Sequence, residues 1–205
     1  MKTKFLAAVL IALFATVSVN ADLALINEIH YDNAGGDVGE AVEIAFEAGG
    51  DITQLTINLV NGNGGTVYNS TTGSGALTAG QTNVNIGGVI YDLYTWSLPP
   101  NGLQNGAPDG IAIATAMGLQ EFLSYEGSFA AVGGIADGVT STDIGVAESS
   151  ATPIGGSLQR NNPSGDGWFA SETNTFGATN AIPEPSSVVA LTALAGLAFN
   201  RRRRG

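Results

Sequence analysis

Cysteine is absent from this chain of 205 residues, so neither a disulfide framework nor a thiolate metal site is open to it. Histidine occurs once, at His30, which removes the histidine-rich zinc motifs and leaves a hydrolase triad a single candidate base. Neither a G-x-S-x-G nucleophile elbow nor a phosphate-cradling lysine loop is present. Cations are almost as scarce. Of seven Lys and Arg, six stand at the ends (Lys2, Lys4 and Arg201 to Arg204), so the body of the chain keeps Arg160 alone. Residues 22–182 set that arginine against seventeen acids, a formal charge of −16. Nucleic acid is thereby excluded as a partner, because its binding depends on Lys and Arg neutralising phosphates. Acids dispersed in this way predict a solvated, solubilising face, with a divalent cation or a cationic surface as the functional readings. Also missing is any sustained 3.6-residue apolar period with caps between residues 22 and 181, so little helix is expected there.

What is present is organised around residues 26–45, INEIHYDNAGGDVGEAVEIA, two alternating runs joined by a loop rich in glycine and acid. That is the form of a strand pair with one buried face. Strict alternation sets Leu25, Ile29 and Tyr31 opposite Ile26, Glu28 and His30, and turns Val42, Ile44 and Phe46 inward with Glu43 outward. Glu28 and Glu43 then share one outer face, where two acids usually serve solubility or edge protection. His30, beside Glu28, reads as a surface or partly buried imidazole rather than a catalytic one. Further strands are predicted at Leu55–Val60 and Thr66–Asn69 around an Asn61-Gly62-Asn63-Gly64-Gly65 turn. Two more follow, at Val84–Trp96 with a bulge or bend at Gly87-Gly88, and at Ile111–Ile113 after the Asn105–Gly110 turn. Short strands with regular turn signals favour a sandwich.

The loop from Asp32 to Glu40 is the best candidate for ligand chemistry. Asp32, Asp37 and Glu40 offer hard oxygen ligands over glycines that let the backbone fold tightly, as Ca²⁺ requires. It is not an EF-hand loop, since Ala34 and Gly36 occupy positions where that motif places oxygen side chains. The same residues also suit an Asx-type turn, with Glu40 and Glu43 holding strand ends by hydrogen bonds. Asp137 and Asp143 form a second acidic loop. Arg160, the sole cation of the body, is expected to pair with an acid.

Three motifs in this region carry a family resemblance. Asn27-Glu28-Ile29-x-Tyr31, the loop with Gly35, Asp37, Gly39 and Glu40, and Val42-Glu43-Ile44 resemble the opening of the lamin-tail domain. The likeness continues through residues 105–112, 123–129, 137–146, 153–159 and 174–180, from about residue 24 to 180 in all. It implies an all-β, immunoglobulin-like β-sandwich, with Asn27, Glu28, Tyr31, Gly39 and Glu43 as family-motif residues. It carries no enzyme activity across, because secreted bacterial members pair the domain with a separate catalytic module.

The ends read as processing segments. Lys2 and Lys4, the apolar stretch Phe5–Ala15 and the Val19-Asn20-Ala21 cleavage site make residues 1–21 a secretory signal peptide. Residues 182–205 resemble a PEP-CTERM sorting signal, with Pro183-Glu184-Pro185, an apolar run to Asn200, and Arg201, Arg202, Arg203 and Arg204. Fifteen apolar-rich residues span roughly 22 Å as a helix, short of the roughly 30 Å hydrocarbon core, so the sorting helix suits a temporary anchor. The arginines would hold its end in the cytoplasm. This resemblance implies an exosortase as processing partner, a Gram-negative bacterium and delivery to the cell surface or extracellular polysaccharide matrix. The chain thus reads as an exported, non-enzymatic structural or interaction module at residues 22–181, with matrix polysaccharide or a surface protein as partner. A Ca²⁺-dependent surface-binding module is the alternative, and a stand-alone secreted hydrolase is disfavoured.

Overall fold

The alternating apolar positions pair into two β-sheets in the computed structural model, which describes residues 22–180. The signal peptide and the sorting signal expected at the ends lie outside the described residues. The strands are β1 (Ala24–His30), β2 (Ala41–Glu47), β3 (Thr56–Asn61), β4 (Val67–Thr72), β5 (Thr78–Ala79) and β6 (Val84–Ile86). They continue as β7 (Val89–Ser97), β8 (Asp109–Thr115), β9 (Gly118–Tyr125), β10 (Thr142–Asp143), β11 (Ser157–Arg160) and β12 (Trp168–Ser171). One sheet runs β12-β11-β1-β2-β7-β5, with β6 also on β7; the other runs β10-β9-β8-β3-β4. Helix among the described residues is limited to two 3₁₀ turns, at Ile52–Gln54 and Gly134–Ala136.

The sheets bury one continuous core. Ile29, Val42 and Ile44 of the first sheet meet Ile57, Leu59 and Ile111 of the second, which is the sandwich arrangement of two inner faces. Tyr31 and Tyr125 stack across the end of this core with ring centroids 3.9 Å apart. A satellite cluster of Ala45, Val84, Ile86, Tyr91 and Leu93 covers part of the outer face of the first sheet.

Two local features depart from strict alternation. The β1–β2 register shifts between Ile26 and Glu28, so a bulge at Asn27 inserts an extra residue. Ala24 and Ile26 therefore join Ile29 and Tyr31 in the core, while Leu25 turns to the opposite face against the satellite cluster. Gly87-Gly88 is neither a bulge nor a corner. With φ of 58° and 92° it is the tight turn of the β6–β7 hairpin, whose two left-handed positions favour glycine.

Strand order also sets where loops gather. His30 pairs with Ala41, Ala41 with Ser97, and Asn61 with Asp109. The β1–β2, β7–β8 and β3–β4 connections thus emerge together at one end of the sandwich.

Candidate functional site

At that end the three connections enclose a cleft of about 420 Å³. Its wall is about half polar: Asn61, Asn101, Gln104 and Asn105 contribute amides, and Asp37 and Asp109 contribute carboxylates. Leu103 and Pro108 supply the apolar part of the lining. The side-chain amides of Asn63, Asn101 and Gln104 make no hydrogen bond among the described residues, so their donors and acceptors face the cleft unspent.

Side chains from several strands hold the cleft open. Glu40, buried at the start of β2, accepts the N–H groups of Asn101, Gly102 and Leu103 at 2.9, 2.7 and 2.7 Å. Three successive N–H groups around one carboxylate form an anion nest that fixes the turn after β7. Burial raises the Glu40 carboxyl against those three bonds. Tyr68 accepts the Gln104 N–H at 3.0 Å, and the Tyr125 hydroxyl donates to the Gln104 carbonyl at 2.5 Å. Asp109 ties both walls, accepting Gly62 N–H at 2.9 Å and Gly106 N–H at 2.8 Å. Residue 62 must be glycine here, since a Cβ would stand 1.9 Å from the Pro108 carbonyl oxygen.

The three candidate calcium ligands are divided by this arrangement. Glu40 is spent on the nest, whereas Asp32 and Asp37 lie within hydrogen-bonding reach of each other. Partial burial and the Asp37 charge raise the Asp32 carboxyl. Asp37 also accepts Asn33 N–H at 3.4 Å and Asn105 Nδ2–H at 3.2 Å. Beside them Asn33 is fully buried, yet its Oδ1 has no donor. Among the described residues no group of three His, Asp or Glu is placed to hold a metal ion. Asp137 and Asp143 each close their own turn, accepting Gly133 N–H at 2.7 Å and Gly145 N–H at 3.0 Å.

Glu28 and Glu43 do share a face and are direct cross-strand neighbours, but that face is covered and both are 0% exposed. The segment after β12 lies over them. Thr175 donates to Glu28 through its N–H at 2.8 Å and its hydroxyl at 2.9 Å, and Gly177 N–H donates to Glu43. Ser157 and Gln159 complete Glu28, while Asn27 and Thr95 complete Glu43. Burial, with Glu28 adding its charge, outweighs these bonds and pushes the Glu43 carboxyl up to about 7. Burial raises Glu28 as well. This is a clamp on residues 175–180, not a surface pair, and neither carboxylate opens on a groove. Asn180 finishes the clamp with Nδ2–H bonds to the carbonyls of Asn27 and Arg160.

His30 is also enclosed, at 1% exposure, and its partner is Glu148 at 2.8 Å rather than Glu28. Burial alone would lower the imidazole, but the Glu148 hydrogen bond and charge raise it. Asn33 Nδ2 and the Val38 carbonyl lie against its other nitrogen at 2.8 and 3.2 Å. Tyr31 donates to Glu126 at 2.9 Å and accepts Glu148 N–H at 2.8 Å. Arg160 pairs as expected: it forks onto Glu121 at 2.7 and 2.8 Å, donates to the Ile26 and Gly165 carbonyls, and lies 5.1 Å from the Trp168 ring. Of the motif residues, Asn27, Glu28 and Glu43 come together, whereas Tyr31 belongs to the sandwich end and Gly39 (φ 79°) to the acidic loop.

The amides of Asn61, Asn101, Gln104 and Asn105 were not singled out by sequence. Their signal was a concentration of Asn and Gln in two connections that the strand order brings together. Comparison with known proteins found no matching family model, no matching curated protein and no matching solved structure.

Proposed function

We propose that the chain is an exported, non-enzymatic binding module that adheres to matrix polysaccharide through the cleft at the end of its sandwich. The observation that carries this reading is the cleft wall. Unspent amides next to carboxylates on a rigid frame match the alternating donors and acceptors of a polyol, and sites held by strands and fixed turns keep their geometry. Immobilised extracellular polysaccharide should retain the purified protein, and Gln104→Ala with Asn101→Ala should release it. Retention unchanged by that double substitution would move the interaction to another surface.

The same reading makes the domain a lamin-tail-like, immunoglobulin-like sandwich delivered by exosortase-dependent sorting. Its support is the strand order, since β1-β2-β7-β5 opposite β9-β8-β3-β4 follows the A-B-E-D and G-F-C-C′ pattern of such domains. Sorting predicts that protein recovered from the medium lacks Arg201 to Arg204, which intact mass will read.

Ca²⁺-dependent binding is the second reading, favoured by the Asp32–Asp37 contact beside the donor-less Asn33 Oδ1. It predicts a melting temperature that rises with millimolar Ca²⁺ through binding to the folded state, and rises less in Asp37→Asn.

A further inference from the structure

We propose that residues 172–180 form a strap that lifts off the outer face of the first sheet as one unit while the sandwich stays folded, and that rising pH drives it open. Its hold on the body is mostly polar. Thr175 and Gly177 donate to Glu28 and Glu43. Gln81 donates its N–H to the Gly177 carbonyl at 2.8 Å, and its side-chain carbonyl accepts the Thr179 N–H and hydroxyl, each at 3.1 Å. Asn180 closes the set on the carbonyls of Asn27 and Arg160. Phe176, the one large apolar side chain of the strap, is half-buried and belongs to none of the three hydrophobic clusters. β12 ends at Ser171, so the strap adds no strand to either sheet. Lifting it exchanges these hydrogen bonds for bonds to water and leaves the ladders and the core intact, which is the profile of a local opening.

Closure also keeps two cross-strand carboxyls away from water. Facing Glu43 are Glu28 from β1 and Thr95 from β7, while β11 presents Ser157 and Gln159 to Glu28. The other charged groups on these elements point elsewhere: Glu47 to Leu23 N–H, His30 to Glu148, and Arg160 to Glu121. Two carboxyls held together without a cation favour the state in which water reaches them. Closed, Glu43 titrates at about 7; open, it returns toward its ordinary 4.5. The closed form therefore binds more protons between those values. Opening gains up to about tenfold per pH unit across that window and nothing further from this group above it. Glu28, raised by burial, acts in the same direction. Release pays out nine residues, roughly 30 Å of extended chain. The strap thus sets how far the sandwich can stand from residue 181 onward. Its seat is tight, because a Cβ on Gly80 would stand 2.6 Å from the Gly177 Cα.

Amide hydrogen exchange of the full-length protein at pH 5, 6 and 7 tests this, each rate being divided by that of the free amide. Thr175 and Gly177 report on the strap, and Ile44 and Ile57 on the core. The strap amides should be at least a hundredfold less protected than the core ones and insensitive to low urea, which acts on openings that expose much surface. Their protection should fall at least tenfold from pH 5 to 7. Glu43→Gln should reduce that fall at least threefold, and Asp166→Asn, an exposed acid elsewhere, should leave it unchanged. Gly80→Ala sets a methyl group under Gly177 and removes no titrating group. It should open the strap at least tenfold at pH 5 with core protection unmoved, and it carries the test if Glu43→Gln does not fold. Strap and core amides with equal protection and equal response to urea overturn the local opening, as does a strap equally protected in Gly80→Ala and the parent. Strap protection that is independent of pH, or that falls equally in Glu43→Gln, overturns the pH drive.

Discussion

Glu43 makes the stability of this protein fall as pH rises from mildly acidic to neutral. The group titrates near 7 in the folded chain against 4.5 in an unfolded one. A carboxyl raised in this way holds its proton more tightly when folded, so the unfolded state binds fewer protons across the interval and stability declines with pH. Its contribution is fully present below the unfolded value and is gone above the folded one. At about 1.4 kcal/mol per pH unit, the interval corresponds to a loss of about 3 kcal/mol from Glu43. Glu28, Glu40, Asp109 and Glu121 are raised by burial, and His30 by Glu148, so each acts in the same direction. Asp51, lowered by its bonds to Thr53 and Gln54, is the exposed exception.

Urea unfolding of the purified protein at pH 4.5, 6 and 7.5 measures the effect, with stability extrapolated linearly to water. Glu43→Gln isolates the residue. The Gln carbonyl still takes Gly177 N–H, but the new Nε2 opposes Asn27 Nδ2, whose amide is held in place by Asn180; the variant should be less stable at pH 4.5 than the parent yet lose about 3 kcal/mol less between pH 4.5 and 7.5. Asp166→Asn controls for removal of one negative charge from a body of −16 and should leave the slope intact. Stability that increases from pH 4.5 to 7.5, or a Glu43→Gln slope equal to that of the parent, would refute the reasoning.

Other substitutions probe the frame. Arg160→Met strands Glu121 and frees the Ile26 carbonyl at the β1 bulge; it should cost about 3–5 kcal/mol in urea unfolding, while Arg160→Met with Glu121→Leu recovers most of that. Gly62→Ala drives a methyl group into the Pro108 carbonyl and should cost about 1–3 kcal/mol while deforming the cleft, readable as a lower melting temperature together with lost polysaccharide retention. Tyr31→Phe deprives Glu148 N–H of its acceptor in a buried site and should destabilise by about 1–3 kcal/mol, with the Tyr125 stacking partner retained.

The sandwich was legible because alternation is a local property. Val42, Ile44, Ile57, Leu59, Ile111 and Ile113 all lie in the core their spacing predicts. Ile26 escaped because a bulge resets the parity without any mark in the residue types around it. The acids were misread for a different reason. Composition treats a carboxylate as a solvated charge, yet Glu28, Asp37, Glu40, Glu43, Asp109 and Glu148 are all buried. Each accepts at least one backbone N–H, and for all but Asp37 at least one of those donors comes from a loop far away in the chain: Glu148 takes Tyr31 and Asp32, Glu28 takes Thr175. No short window of sequence contains both partners of those distant pairs.

Those burials also explain how a chain without cysteine and with a single body cation fixes long loops. A buried charge costs several kcal/mol unless it is bonded, and carboxylates offer more acceptor sites per side chain than any neutral group. Glu40 holds the wall of the cleft and Glu28 with Glu43 holds residues 175–180, so backbone N–H groups take the part that arginine and lysine play elsewhere. The consequence reaches the binding end of the molecule. Where backbone donors saturate a carboxylate, as at Glu40, the negative charge is absorbed by the fold. Asp32 and Asp37 lie within hydrogen-bonding reach of each other with fewer such donors, so the charge of that loop is offset less by the fold.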